Sequence, residues 1–260
     1  MNASELFKAG KLQAAIEDQL QLVKAKPTDG ARRLFLFELL VFSGDIDRAM
    51  KQGELANFGE VEIDTAMQGY VKLLVNEKAR RKVFREGGKP GFFGPPPESL
   101  LPRLEALALI QAGKNKDAAA VIAKNPPPPI SGTINGKPFD ALADCDDLLA
   151  PVLEVLTVQG YFWVPLSEVV SLTSDAPKFP RDLFWLPATL ELKDQQGPVF
   201  LPTLYPFSHE HADETIKLGR GTDWLGQEGE PIRGAGAKTL LAGDDAVGLL
   251  DVRELTVNKS

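Results

Sequence analysis

Three short stretches decide the fold: residues 9–15 read AGKLQAA, residues 43–49 read SGDIDRA and residues 112–118 read AGKNKDA. Each sets a glycine five residues ahead of an alanine, pairing Gly10 with Ala15, Gly44 with Ala49 and Gly113 with Ala118. The first two copies lie 34 residues apart, and the third lies 69 beyond the second, about two further periods. The glycine ends one helix and permits a tight turn into the next. The alanine is small enough to let the two helices pack closely.

A period of 34 is that of the tetratricopeptide helix–turn–helix repeat. The flanking residues agree. Leu6, Leu12, Ile16, Leu20 and Val23 make one helical stripe. The denser run Leu34, Phe35, Phe37, Leu39, Leu40 and Val41 predicts a helix buried on more than one side. Pro27 blocks continuation of the second helix. Further helices are predicted over about 61–86, 98–112 and 115–124. Between them, residues 87–97 read GGKPGFFGPPP, too rich in Gly and Pro for a regular element. This stretch reads as an inserted loop, with Phe92 and Phe93 expected to anchor it to the helices.

Asn125 to Pro129, NPPPP, is a stiff extended spacer and the expected domain boundary. The pattern changes beyond it. Asn135-Gly136 between short extended arms reads as a hairpin. Residues 143–158, with Leu148, Leu149, Val152, Leu153 and Leu156, read as a helix. Tyr161–Val164 and Val169–Leu172 read as strands, Ala188–Lys193 and Val199–Leu204 as paired strands, and Leu240-Leu241 with Leu249–Val257 as the rest of a mainly antiparallel sheet. The expected fold is α+β: a tetratricopeptide-like domain over 1–125, a proline linker over 126–129 and a strand-rich domain over 130–260.

Charge separates the same two parts. Residues 1–129 hold 19 Lys+Arg against 16 Asp+Glu, and residues 130–260 hold 10 against 20. A total of -7 disfavours nucleic acid as a partner. The densest basic run is Lys78, Arg80, Arg81, Lys82, Arg85 and Lys89, read as the solvated end of a helix, with an anionic docking patch as the alternative. The single Cys145 excludes an internal disulfide and fits a reducing compartment. The N-terminal residues lack the pattern of a secretory signal, and no run of about 18 apolar residues predicts a membrane span. A cytoplasmic location is therefore expected.

Chemistry is thinly represented. The two histidines, His209 and His211, lie in SHEHADE beside Glu210, Asp213 and Glu214, so a metal-dependent hydrolase is one reading. A loop entering a helix, capped by Ser208 or Asp213, is the other. Cys145 stands among Asp144, Asp146 and Asp147, which raise a thiol's pKa rather than activate it. Leu218-Gly219-Arg220-Gly221-Thr222-Asp223-Trp224 offers either an anion cradle or glycines in a tight turn. No metal or other cofactor is expected. All three tryptophans, Trp163, Trp185 and Trp224, lie in the back half with Tyr161 and Tyr205, as core or as the rigid anchors of a protein-binding surface.

At these residues the sequence resembles the ImpE/SciE (TagJ) family of bacterial type VI secretion accessory proteins. The resemblance is carried by Arg181–Ala188 (RDLFWLPA), Val199–Pro206 (VFLPTLYP), Ser208–Glu210 and Leu218–Trp224 (LGRGTDW). It extends to Phe35–Leu40 and Gly160–Pro165. The chain departs from the family at Phe207, where a small residue, commonly glycine, is expected, and at Gly221, where alanine is frequent. The resemblance implies a non-enzymatic, cytoplasmic, virulence-associated adaptor. Its implied partner is the N-terminal helix of the small sheath subunit TssB, with the sheath-disassembling ATPase ClpV acting in the same part of the cycle and reached indirectly; neither nucleic acid nor membrane is implied. The binding residues expected are Trp185, Leu186, Tyr205, Arg220 and Trp224. A hydrolase centred on His209 and His211, and an effector acting on host targets, are the competing readings.

Overall fold

The computed structural model describes residues 1–258. Helices α1 (Ala3–Lys8) and α2 (Leu12–Ala25) form one antiparallel pair, and α3 (Gly30–Phe42) and α4 (Ile46–Leu55) a second. A long α5 (Val61–Arg85) follows, and α6 (Leu101–Gln111) and α7 (Asn115–Lys124) make the third pair. Gly10, Gly44 and Gly113 all stand at φ between +73° and +79° in the turns within these pairs. Each turn closes in the same way: the residue after the glycine donates to a carbonyl five residues back, as in Lys11 to Leu6, Asp45 to Leu40 and Lys114 to Leu109. Ala15, Ala49 and Ala118 are completely buried where the paired helices meet. The side chains of Asn2, Asp29 and Asp45 cap α1, α3 and α4.

The back half holds β1 (Gly132–Ile134), β2 (Lys137–Phe139), β3 (Leu142–Asp144), β4 (Val152–Leu156), β5 (Tyr161–Pro165), β6 (Val169–Ser174), β7 (Trp185–Leu192) and β8 (Gln195–Pro202). After a short helix α8 (Glu214–Lys217) come β9 (Thr222–Leu225), β10 (Arg233–Gly236), β11 (Thr239–Ala242), β12 (Asp245–Gly248) and β13 (Glu254–Val257). An eight-stranded antiparallel sheet runs β2-β1-β13-β6-β7-β8-β4-β5. A three-stranded sheet, β12-β11-β3, and a two-stranded ribbon, β10-β9, complete it. The Asn135-Gly136 turn carries φ of 50° and 78°, the left-handed pair that a two-residue hairpin requires. The α+β architecture expected from the sequence is the one observed.

Alternate residues of the large sheet enter two different cores. Val152, Leu156, Tyr161, Trp163 and Trp185 pack with the helices, against residues such as Phe37, Leu74 and Phe84. Leu153, Val155, Val164, Leu186 and Leu201 face the other way and pack with Leu240 and Leu255. The helical half and the sheet thus share one continuous hydrophobic core rather than meeting across a spacer.

Several expectations are corrected. Residues 143–158 are not a helix but β3, a tight turn and β4. All five residues of β4 are buried, so its sequence is apolar on both faces and lacks the alternation of a half-exposed strand. The turn before it is set by Asp146, whose carboxylate accepts from the N–H groups of Leu148 and Leu149. The β7–β8 hairpin turns at Lys193-Asp194, so Gln195, Gln196 and Gly197 belong to β8 rather than to the connection between the two expected strands. The 87–97 loop is anchored partly to the sheet. Gly91 bridges Phe162 at the free edge of β5, and Phe93 stacks flat on Phe162 with ring centroids 4.6 Å apart. The basic run is solvated only in part: Lys82, Arg85 and Lys89 are exposed, but the run also reaches the interior. Arg80 is 2 % exposed, Arg81 donates to the Gly44 carbonyl and Arg85 pairs with Glu210.

Candidate partner-binding surface

The side chains between α5 and the sheet form a dense charged network. Arg80 donates to both oxygens of Glu154 at 2.8 and 3.0 Å and to the Leu204 carbonyl at 2.8 Å. Tyr161 donates to Glu154 at 2.5 Å, and the Trp163 indole donates to Tyr161. Lys238 bridges Asp144 at 2.8 Å and Glu154 at 2.9 Å, while Tyr205 donates to the other oxygen of Asp144 at 2.7 Å. These groups are buried, yet each charge faces an opposite one. Although burial alone would raise it, Arg80 and Lys238 hold the Glu154 carboxyl well below its usual range. Burial dominates at Asp144 and lifts its pKa in spite of Lys238. Arg181 makes a second link, donating to Glu38 of α3 at 2.8 Å with its guanidinium 4.1 Å above the Phe179 ring. The network is structural: its members are committed to one another and closed to solvent.

The two histidines are engaged separately. The His209 ring lies against Gly44, where an added Cβ would sit 2.0 Å from Cδ2. Burial, with Arg81 and Arg85 nearby, lowers its pKa to about 4. His211 instead contacts Asp223 through Nε2 at 3.1 Å, and its Nδ1 accepts from the Asp213 N–H. Among the described residues no three His, Cys, Asp or Glu side chains are grouped to hold a metal. Asp213 caps α8 as expected. Burial and the Asp144 carboxylate raise the Cys145 thiol, which opposes nucleophilic use.

The glycines of Leu218–Trp224 serve structure. Gly219, at φ +66°, ends α8 with the same turn as the three repeat glycines, its neighbour Arg220 donating to the Thr215 carbonyl. The Arg220 guanidinium donates to the carbonyls of Phe7 and Lys8 at 2.6 and 2.8 Å, satisfying the end of α1 instead of an anion. Phe207, where the family resemblance implies glycine, adopts a left-handed φ of 64°. The Arg85 guanidinium lies 3.4 Å from its ring centre, a contact glycine lacks.

Of the five expected binding residues, Trp185, Leu186 and Tyr205 are 0–1 % exposed and belong to the cores. Arg220 is exposed but its guanidinium is taken up by α1, and Trp224, 42 % exposed against Tyr205 on the ribbon, is the one aromatic of the five at the surface. The five are not one surface.

Concavity lies elsewhere. A groove of about 970 Å³ opens at one end of the large sheet, between the 92–98 loop, the end of β5, the start of β6 and the β7–β8 turn. Phe92, Phe93, Pro96 and Leu192 supply apolar lining. Glu98, Glu168 and Asp194 supply three carboxylates against one ammonium, Lys193. Its walls come from four separate chain segments, so no local motif announces it. The Gly/Pro-rich composition of residues 87–97 is the one sequence signal that touches it.

The fold and these surfaces define a class: a helical-repeat scaffold fused to an antiparallel sheet, with a buried charge network between them and an open groove at one end of the sheet. A family model, ImpE protein, matches residues 136–256. The chain is 37% identical to the type VI secretion system accessory component TagJ of Pseudomonas aeruginosa, over 98% of this chain and 90% of that protein. It belongs to this ImpE family of type VI secretion accessory components. A crystal structure of the protein VPA1032 from Vibrio parahaemolyticus has the same fold, with a TM-score of 0.88 at 23% identity over 99% of this chain and 98% of the other.

Proposed function

We propose that this chain is a non-enzymatic adaptor of a type VI secretion system, working in the cytoplasm, that binds the N-terminal helix of the sheath subunit TssB. Through the sheath it is linked to assembly and disassembly, and so indirectly to ClpV. The observation that supports this most is the match to an accessory component over almost the whole of both chains. The site geometry is consistent with it. The buried carboxylates Glu77, Glu154 and Asp144 are tied into ion pairs, and the two histidines are held by different partners. Among the described residues no helix is long and apolar enough to cross a membrane. The test is affinity purification of the full-length chain from its own cells while the secretion system is expressed. TssB should be enriched over a control purification. Its absence from the purified material while it is abundant in the extract would defeat the assignment.

A further inference from the structure

We propose that the groove at the end of the large sheet is a docking site for an amphipathic helix whose apolar stripe is flanked by Lys or Arg. The proposal rests on the sheath-helix reading for the source of that helix; the place and the chemistry come from the structure. Three observations carry it. The first is shape. A helix about 10 Å across, sunk to half its depth, fills about 40 Å³ for each ångström of its length. A groove of 970 Å³ therefore has room for about four turns.

The second is charge. The apolar lining of Phe92, Phe93, Pro96 and Leu192 is accompanied by Glu98, Glu168 and Asp194, with Lys193 as the only cation among the described lining residues. An apolar floor with an acidic rim is complementary to a helix with an apolar stripe and basic flanks.

The third selects a helix over an extended strand. Strand addition needs free N–H and C=O groups along a sheet edge. The edge of β5 that borders the groove is already occupied. Gly91 donates to the Tyr161 carbonyl at 2.9 Å, and the Trp163 N–H donates to the Gly91 carbonyl at 3.0 Å. The next residue that points outward is Pro165, which has no N–H to offer. The backbone template is closed, and side-chain contacts remain.

The experiment uses the full-length chain and a fluorescent synthetic peptide of the N-terminal helix of TssB from the same cells, read by anisotropy. Phe93→Glu places a charge in the apolar floor, and the pair Glu98→Lys with Asp194→Lys reverses the rim. All three residues are exposed, and near-UV circular dichroism checks that the cores are unchanged. Each variant should weaken binding at least tenfold, whereas Trp224→Ala should stay within twofold of the parent. The rim variant should also lose most of the salt dependence of binding. If the parent chain binds and both groove variants bind equally well, the groove is the wrong address while the sheath reading stands. A loss confined to Trp224→Ala would move the site to the β9–β10 ribbon and overturn the proposal. If the parent itself fails to bind, the sheath-helix reading falls, and this proposal with it.

Discussion

Replacing Arg80 by methionine should test whether the buried charge network holds α5 to the sheet. The substitution keeps much of the side-chain length but removes a guanidinium that donates twice to Glu154, once to the Leu204 carbonyl and once to Glu77. Arg80 and Lys238 are opposed by Glu77, Glu154 and Asp144, with Arg81 beside Glu77 restoring balance. Without Arg80, an unpaired negative charge stays buried. Breaking a buried pair from one side costs about 3–5 kcal/mol. A domain of this size has about 5–15 kcal/mol in total. Arg80→Met should therefore lower the melting temperature by roughly 6–10 °C, at about 2 °C for each kcal/mol in a chain of 260 residues. Urea unfolding followed by far-UV circular dichroism and by tryptophan fluorescence should show one shared transition, moved to lower denaturant. The double variant Arg80→Met with Glu154→Met removes both charges and leaves Lys238 paired with Asp144. It should recover at least about 2 kcal/mol relative to additivity. A loss below about 1 kcal/mol for the single variant, or strict additivity in the cycle, would refute the claim that charge pairing fixes this interface.

Gly44→Ala should cost clearly more than Gly113→Ala in urea unfolding. Both positions have φ above +70°, but only at Gly44 does a new Cβ collide with His209; equal costs would show that the ring yields freely. Arg220→Ala should speed amide exchange across α1 while leaving α6 and α7 unchanged, because its carbonyl partners are Phe7 and Lys8; unchanged exchange in α1 would deny the clamp. His209 has its pKa lowered from 6.5 to about 4, so between those values the unfolded chain takes up a proton that the folded chain refuses. Its contribution to stability is therefore present above about pH 6.5 and is lost as the pH falls towards 4. A His209→Gln variant should show a shallower loss of stability between pH 7 and 5, and parallel curves would contradict the assignment.

The helical half was legible because its signal is local. Gly10, Gly44 and Gly113 sit where only a left-handed residue closes the turn, and the alanine five residues on marks the close approach. The Asn135-Gly136 hairpin was legible for the same reason. β4 was not. Val152, Glu154 and Leu156 face the helices while Leu153 and Val155 face the second core, so the run carries no period of two. The candidate surface was the least legible part. Trp185 and Tyr205 have the chemistry of binding anchors, and burial alone, which sequence does not display, makes them core. Arg80 reads as one cation among six in a basic run, and its partner Glu154 lies 74 residues away. The groove needs residues 93, 168 and 194 at once, and their meeting is a property of the sheet rather than of any segment.

The grip of Arg220 on the end of α1 joins residues 212 and 213 positions apart, and Glu214 likewise accepts from the Gln13 N–H. A ribosome adds about 5–20 residues each second. Helix α1 must therefore wait about ten seconds or longer after its own synthesis before its clasp has been made. During that interval the face of Phe7 that later meets Phe35 and Phe42 has its helical neighbours but not its lock. The order of synthesis thus runs against the order of closure, since α1 is made long before the residue that secures it.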